Sequence, residues 1–315
     1  MTSQSGKRRY GWGAPVTAAG PSSANMMSRI RSIQTDPLPF LEEAWQAHGD
    51  VLQLPIPRPG VYVVTSPRAV RDVLVTQARD TSKRTIQYTT LSLVTGQGLL
   101  TADGQAWLRM RRAVQPAFHR DLIGLTERHV HSALARLELR WGKALHHGSH
   151  VVDMDAEMME LALDITGAAL FGVDLSDEAH EIAQATVSAL HSVIVRARNP
   201  LPPPMALPTP ANLAMRRSVR TLDNAVRRIM VSREHDVLPQ GAPIRDMLDV
   251  LLDPDLALTT EQVRDEIATF IVAGHETVAS ALTWAWHLLS HDFAQQDALA
   301  ADPTRAQRVF DEVLR

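Results

Sequence analysis

Apolar residues dominate the stretch from Ile267 to Ser290, which contains no proline and a single charged side chain, Glu276. Just before it, Thr259 and Gln262 form a Thr-x-x-Gln capping-box pattern, which predicts that a helix begins there. A helix that is apolar nearly all round is either a core helix or a membrane span. A span would place the Glu276 carboxylate near the middle of the bilayer, at a cost of roughly 2.5 kcal/mol or more. The pattern therefore predicts a long helix through the core of a soluble protein.

The rest of the chain reads mainly as helix, with one small β-hairpin. Strand-like runs at residues 51–56 and 61–65 flank the turn signal Pro57-Arg58-Pro59-Gly60. Residues 81–100 have few periodic features and receive no assignment, and residues 199–210 carry six prolines, which excludes regular structure there. Helical spacing or capping signals predict helices at residues 38–48, 66–76, 122–141, 156–171, 177–198, 211–236 and 303–315.

Composition narrows the possible functions. The chain has 315 residues, 45% of them hydrophobic and 21% charged, with a net charge of −3 and no cysteine. These values indicate a globular protein without general affinity for nucleic acid, and they exclude disulfides and thiolate zinc sites. Gly96-Gln97-Gly98 lacks a third glycine at position 101 and a surrounding βαβ unit, which excludes a dinucleotide loop.

The first 35 residues are rich in Gly, Ala, Pro and Ser and predict a flexible lead, so we expect one ordered domain over residues 36–315. No apolar run of signal-peptide or membrane-anchor length follows Lys7-Arg8-Arg9. The expected location is therefore the cytoplasm, without a membrane anchor.

Residues 273–277, Ala-Gly-His-Glu-Thr, break local rules within one turn of the long helix. Gly274 costs about 1 kcal/mol relative to alanine in a helix interior. Glu276 is a carboxylate among apolar neighbours, and the Thr277 hydroxyl can return to the carbonyl of Ala273, which tends to bend a helix. Such a concentration of exceptions is typical of a functional site. A kinked core helix with a satisfied polar patch is the alternative.

Two further pairs have the spacing of helix neighbours. Trp107 and Arg111 lie four apart, so they share one face and could both donate hydrogen bonds to a carboxylate, unless they belong to an ordinary basic surface helix. Glu312 and Arg315 lie three apart and can form an ion pair, which is also common on helix surfaces.

Taken in order, W-x-x-x-R at 107–111, A-G-x-E-T at 273–277 and E-x-x-R at 312–315 resemble the motifs of the cytochrome P-450 superfamily of heme-thiolate monooxygenases. The resemblance covers nearly all of the chain from about residue 36. It implies the N-terminal two-thirds of that mainly α fold. It also implies heme b, a ferredoxin- or flavoprotein-type electron donor and a small apolar substrate whose identity the sequence leaves open.

The resemblance also implies roles for individual residues. Ala273 and Gly274 would leave room above the iron for dioxygen and substrate. Thr277 would hydrogen-bond the oxygen under activation, and Glu276 would supply protons to it. The side chains at 107 and 111 would bind a heme propionate, and those at 312 and 315 would form a structural pair.

One departure from the family separates two hypotheses. The family's axial iron ligand is a cysteine in an F-x-x-G-x-R-x-C-x-G loop, and this sequence contains neither that loop nor any cysteine. We therefore expect a chain truncated after the E-x-x-R helix. The first hypothesis is a monooxygenase whose intact form inserts one oxygen atom from O2 into an apolar substrate, with little activity in residues 1–315 alone. The second is a non-catalytic helical remnant or binding module without heme.

Overall fold

The computed structural model describes residues 17–56, 60–146, 148, 151–198, 202–233 and 242–315. The chain divides into two compact units, the first ending at Ser82 and the second comprising Lys83–Arg315. Helices account for most of the described residues, and two antiparallel strands form a small sheet. The predicted fold class, mainly α with a small β-hairpin, is confirmed.

Where it is described, the first unit contains the sheet and four α-helices. Val51 pairs with Val64 and Leu54 with Val61, and the predicted hairpin tip at residues 57–59 lies outside the described residues. Its elements are α1 (Ser23–Ser28), α2 (Ile30–Thr35), α3 (Leu38–His48), β1 (Val51–Leu54), β2 (Val61–Val64) and α4 (Pro67–Arg71), which continues as one π-helical turn over Asp72–Thr76. Thus α1 and α2 occupy part of the stretch that the sequence pattern left without regular structure.

The described part of the second unit contains helices and connecting segments but no strand. Its helices are α5 (Ile86–Thr95), α6 (Gly104–Val114), α7 (Arg120–His146), α8 (Met154–Phe171), α9 (Ala179–Arg198), α10 (Pro210–Ser232), α11 (Met247–Leu251), α12 (Thr260–Ser290), α13 (Phe293–Ala301) and α14 (Ala306–Val313). Three of them, α5, α11 and α13, have no counterpart in the sequence prediction. α5 escaped it because threonine and serine fill much of its length, which blurs the helical spacing of its apolar residues.

The core of the second unit is formed largely by α8 and α12, which pack along each other, and by α9 and α10. Leu163 and Phe171 of α8 share the larger apolar cluster with Ile267 and Ile271 of α12. Nearer the start of α8 and later in α12, Met158, Leu161 and Ala162 share a smaller cluster with Ala279. The two helices therefore run antiparallel, and residues 273–277 lie between the two clusters.

This packing explains the apolar character of α12 up to Ala279, whereas Trp284, Trp286 and Leu288 in its last turns are exposed. Among the helices in the described part of the chain, none is both long enough and apolar enough to span a membrane.

Candidate functional site

Helix α12 begins where the capping pattern predicts. The Thr259 hydroxyl accepts a hydrogen bond from the Gln262 backbone N–H at 3.2 Å, and the Gln262 side-chain oxygen accepts one from the Thr259 N–H at 2.9 Å. Two of the free N–H groups of the first turn are thereby satisfied. The helix then continues through residues 273–277 to Ser290.

The turn at 273–277 has one side buried in the protein and one side exposed, which we call the open side of α12. His275 is completely buried, whereas Ala273 and Thr277, which are one turn apart, are exposed. The Thr277 hydroxyl donates a hydrogen bond to the Ala273 carbonyl at 2.9 Å, as predicted. Because its proton is engaged along the helix, the hydroxyl oxygen offers its lone pairs to the open side as an acceptor.

Gly274 lies where α12 touches α8. A Cβ atom at this position would come within 2.9 Å of the Thr166 Cγ2 and 3.2 Å of its hydroxyl oxygen. These distances are shorter than ordinary van der Waals contact. The glycine therefore allows the two helices to approach closely, a reason for its presence that the sequence analysis did not consider.

Glu276 borders a cavity of about 580 Å³. No hydrogen-bond or ion-pair partner of its carboxylate occurs among the residues that the structure describes, and burial raises the pKa of this group above its usual range. The other lining residues are Gln87, Tyr88, Leu91, Leu100, Leu190, Val193, Ile194 and Ala197. A partly buried acid thus faces a mostly apolar cavity.

His275 points away from that cavity side, into the protein. Its Nδ1–H donates to the Ile271 carbonyl at 2.6 Å, and its Nε2 is buried without a partner in the described part of the chain. Burial lowers the pKa of the imidazole, so the ring is neutral at physiological pH.

Trp107 and Arg111 share one face of α6, as their spacing predicts. The guanidinium carbon of Arg111 lies 5.9 Å from the Trp107 ring centroid, and the Lys83 ammonium lies 5.6 Å from it. Within the described ranges, neither the indole N–H nor the Arg111 guanidinium has a hydrogen-bond partner. Two donors on one helix face are therefore available to a ligand.

The segment that follows α6 reaches α12 close to residues 273–277. The rings of Phe118 and Phe270 lie 6.0 Å apart, centroid to centroid, and Phe270 precedes Ala273 by about one turn. Phe118 is 47% exposed, so this aromatic pair borders the open side of α12. The 3-10 segment after α6 is therefore in contact with α12 one turn before Ala273.

Glu312 and Arg315 form the predicted ion pair at 3.3 Å, with both side chains largely exposed. Glu312 lines a groove with Leu288 and Leu289 of α12. Leu288 lies eleven residues beyond Thr277, which is about 16 Å along the helix. The structure therefore does not bring this pair to the turn at 273–277.

The residues described here fit the heme that the resemblance implies. The propionate carboxylates of a heme accept hydrogen bonds from donors that have no other partner. Its flat apolar ring packs against an exposed, apolar helix face. Trp107 and Arg111 supply such donors, and the open side of α12 at Ala273 and Thr277 supplies such a face. Among the described residues, no three His, Cys, Asp or Glu side chains are arranged to hold a metal ion.

Sequence reasoning missed a second polar group, formed by Asp265, Glu266 and Lys83. The two carboxylates are buried near the start of α12 and accept hydrogen bonds from backbone N–H groups of Gln97 and Leu99. Burial, with the neighbouring Asp265 charge, raises the pKa of Glu266 to about 7. Two adjacent acids directly before a long apolar run were the available signal.

Known proteins are similar to this chain in sequence, and solved structures are similar to it in fold. Pentalenene oxygenase of Streptomyces avermitilis is 30% identical over 281 residues, covering 87% of this chain and 60% of that protein. Cyclooctatin synthase of Streptomyces melanosporofaciens is 29% identical over 301 residues, covering 89% of this chain and 64% of that protein. The crystal structure of CYP175A1 from Thermus thermophilus superposes with a TM-score of 0.70 at 31% identity, covering 94% of this chain and 68% of that one.

The chain thus spans about three-fifths of the length of the two curated relatives. The profile of the cytochrome P450 family matches residues 20–306, a range that includes Trp107, Arg111 and residues 273–277 and stops short of Glu312. This match covers nine-tenths of the chain, and it agrees with the superposable fold and with the residues at 107–111 and 273–277. The chain belongs to the cytochrome P450 family.

Proposed function

We propose that this protein, in its intact form, is a heme-dependent monooxygenase that inserts one oxygen atom from O2 into an apolar substrate, a hydrocarbon in our interpretation. The observation that carries the proposal is the position of Glu276, whose unpaired carboxylate faces an apolar cavity one residue before the exposed hydroxyl of Thr277. Heme, when bound, supplies the redox chemistry.

The cavity accounts for the class of substrate. Six of the nine lining residues in the described part of the chain are aliphatic, and Gln87 and Tyr88 add two neutral polar groups. Its volume of about 580 Å³ lies within the range of small-molecule sites. One relative is named for the oxygenation of pentalenene, a hydrocarbon. A hydrocarbon binds because its apolar surface is removed from water, and the aliphatic side chains of this cavity can cover that surface.

Glu276 and Thr277 are assigned to proton delivery. The raised pKa of Glu276 lets its carboxyl hold and release a proton closer to neutral pH than an ordinary glutamate does. Thr277, the next residue of α12, donates its hydrogen bond to the Ala273 carbonyl and so presents an acceptor oxygen on the exposed side of the helix. The pair can therefore receive a proton from the cavity side and hold it at the open face of α12.

Trp107 and Arg111 are assigned to binding a heme propionate. The indole N–H and guanidinium can both donate to one carboxylate, and the Arg111 bond would be charge-assisted. On the same helix, Arg109 and Arg112 are exposed and fit an acidic surface such as that of a ferredoxin or flavoprotein electron donor.

The second candidate is a non-catalytic helical protein without heme, and the absence of cysteine favours it. An oxygenase of this family needs a thiolate ligand, which these 315 residues cannot provide, so we infer that residues 1–315 alone do not turn over substrate. Reading the coding DNA beyond codon 315 in all three frames separates the candidates. An encoded F-x-x-G-x-R-x-C-x-G loop supports the oxygenase, and its absence supports the heme-free protein.

The direct test uses the protein expressed from its complete coding sequence, loaded with heme and supplied with NADPH, ferredoxin and ferredoxin reductase. Pentalenene is incubated under ¹⁸O2, and the products are analysed by mass spectrometry. We expect a product that carries one ¹⁸O atom per molecule. Failure to bind heme, or a product whose oxygen comes from water, would overturn the proposed function.

A further inference from the structure

We propose that Asp265 and Glu266 are positioning residues, which hold residues 96–101 (the 96–101 loop) on α12 and so fix the cavity wall formed by Leu100. The link to substrate specificity rests on the proposed function, whereas the attachment of the loop does not. None of the roles assigned above uses these two carboxylates.

The two carboxylates bind alternate backbone amides of the loop. The Gln97 N–H donates to Asp265 Oδ2 at 2.7 Å, and the Leu99 N–H donates to Glu266 Oε2 at 3.0 Å. Asp265 is itself held by Arg264, whose guanidinium donates to Oδ1 at 3.0 Å. Each carboxyl oxygen accepts from a different backbone N–H, so the loop is fixed at two points two residues apart.

The carbonyl side of the loop is held as well. The Lys83 ammonium donates to the carbonyls of Leu99 at 3.1 Å and Leu100 at 2.9 Å. Lys83 also interacts favourably with the charge of Glu266. Leu99 is therefore held by its N–H from α12 and by its carbonyl from Lys83, which precedes α5.

Two glycines allow the loop to lie directly on the helix. A Cβ atom on Gly96 would come within 1.9 Å of Asp265 Oδ1, and one on Gly98 within 2.3 Å of the Thr269 hydroxyl. Gly96 also has a φ of +64°, which favours glycine. Side chains at either position would separate the loop from Asp265.

The attachment directs neighbouring leucines to different surroundings. Leu99 packs against the main apolar cluster, whereas Leu100 lines the cavity together with Glu276. A shift of the loop would move Leu100 and change the shape of the cavity. Burying a carboxylate as completely as Glu266 is costly, and this geometry gives a reason for its presence.

The test is hydrogen–deuterium exchange of the purified protein, read by mass spectrometry on peptides that contain residues 96–101. In the variant Asp265→Ala/Glu266→Ala we expect these amides to exchange about tenfold faster or more, the change expected when a charge-assisted hydrogen bond is lost. Asp265→Asn/Glu266→Gln keeps an acceptor oxygen at both positions and should restore most of the protection. Glu261→Ala, an exposed acid in the first turn of α12, is the matched control.

Unchanged exchange at 96–101 in the alanine variant would overturn the proposal, and so would faster exchange spread evenly over the chain. The conservative variant keeps the test decisive if the alanine variant does not fold. In that case, full loss of protection with Asn and Gln would equally contradict positioning by an acceptor oxygen.

A second readout concerns specificity. In the heme-loaded protein, the alanine variant should raise the KM for pentalenene by more than it lowers kcat, because the cavity wall moves while Glu276 stays in place. Exchange requires neither heme nor turnover. Suppose that the alanine variant loses protection at residues 96–101 and that the unsubstituted protein oxygenates no substrate. The proposed function would then be contradicted, whereas the positioning role of Asp265 and Glu266 would be supported.

Discussion

The hydroxyl of Thr277 donates to the backbone carbonyl of Ala273 across one turn of α12, and both residues lie on its exposed side. The same helix repeats the arrangement two turns later, where Thr283 donates to the Ala279 carbonyl at 2.9 Å. Ala279 is buried, however, and Thr283 is half-buried. Both hydroxyls donate to the carbonyl four residues back, but they differ in access to the open side, and the Thr283 hydroxyl also contacts Asp155 Oδ1 at 3.3 Å. Thr283 therefore provides a control for Thr277.

Thr277→Val removes the acceptor hydroxyl and keeps the shape of the side chain. In the heme-loaded oxygenase we expect more oxygen to be reduced to hydrogen peroxide and less substrate to be oxygenated, because the proton path loses one member. The measurement is the ratio of peroxide formed to O2 consumed. Thr283→Val, which removes the equivalent bond at the half-buried site, should leave that ratio unchanged. Equal ratios in both variants and in the unsubstituted protein would exclude Thr277 from proton delivery.

Arg111→Ala should weaken heme retention by on the order of 1.5–3 kcal/mol, the contribution of a hydrogen bond to a charged group. The rate of heme transfer to an excess of apomyoglobin measures this loss. Arg112→Ala is the matched control, because Arg112 is equally exposed on the same helix and adjoins Arg111. An effect of the same size in both variants would indicate a general charge effect and would contradict a propionate contact at Arg111.

Glu266 should make the stability of the protein depend on pH near neutrality. Its pKa is about 7 in the folded protein, above the ordinary value of 4.5 that applies to the unfolded chain. Between these values the folded state holds a proton that the unfolded state has lost, so the contribution is present below about pH 4.5 and is lost as the pH rises through 7. The full change is on the order of 3 kcal/mol.

Urea unfolding at pH 5 and pH 8 measures this change by comparison with Glu266→Gln, which cannot titrate. The variant should gain free energy of unfolding relative to the parent as the pH rises. Glu261→Gln, at an exposed position of the same helix, should keep a constant difference from the parent. If the Glu266→Gln difference is also constant, the carboxyl titrates in its ordinary range.

Gly274→Ala should destabilise the protein by about 1–2 kcal/mol. The added methyl group overpacks the contact with Thr166, at a cost of about 1–3 kcal/mol, and the helix propensity of alanine returns up to about 1 kcal/mol. Adding Thr166→Ala should remove most of the loss, which a double-mutant cycle in urea measures. Gly142→Ala in α7, where a Cβ atom meets nothing within 4 Å, should instead be stabilising. Additive losses at 166 and 274 would refute the contact.

The sequence predicted α12 well because its signals are local. The capping residues Thr259 and Gln262 are three apart, and the Thr277 hydroxyl bonds to a carbonyl only four residues back. The W-x-x-x-R spacing likewise placed Trp107 and Arg111 on one face of α6. The specific residues at 273–277 were noticed because they violate local rules.

The attachment of the 96–101 loop could not be predicted in this way. Gln97 and Asp265 are 168 positions apart, and no local pattern in either segment predicts that the two make contact. The Gly96-Gln97-Gly98 sequence raised only the possibility of a dinucleotide loop, which was rejected, whereas its glycines make room for a carboxylate. The packing reason for Gly274 was missed for the same cause, since Thr166 is remote in sequence.

The contact between Thr166 and Gly274 joins residues more than one hundred positions apart, and it has a consequence for the newly made protein. At a synthesis rate of about 5–20 residues per second, the synthesis of α8 ends roughly 6–24 s before that of its partner α12. Throughout that interval Leu163 and Phe171, both fully buried in the finished fold, lack Ile267 and Ile271 to cover them. During translation, part of the apolar surface of α8 therefore stays uncovered. We expect the nascent chain to aggregate most readily at this stage and to bind chaperones through that surface.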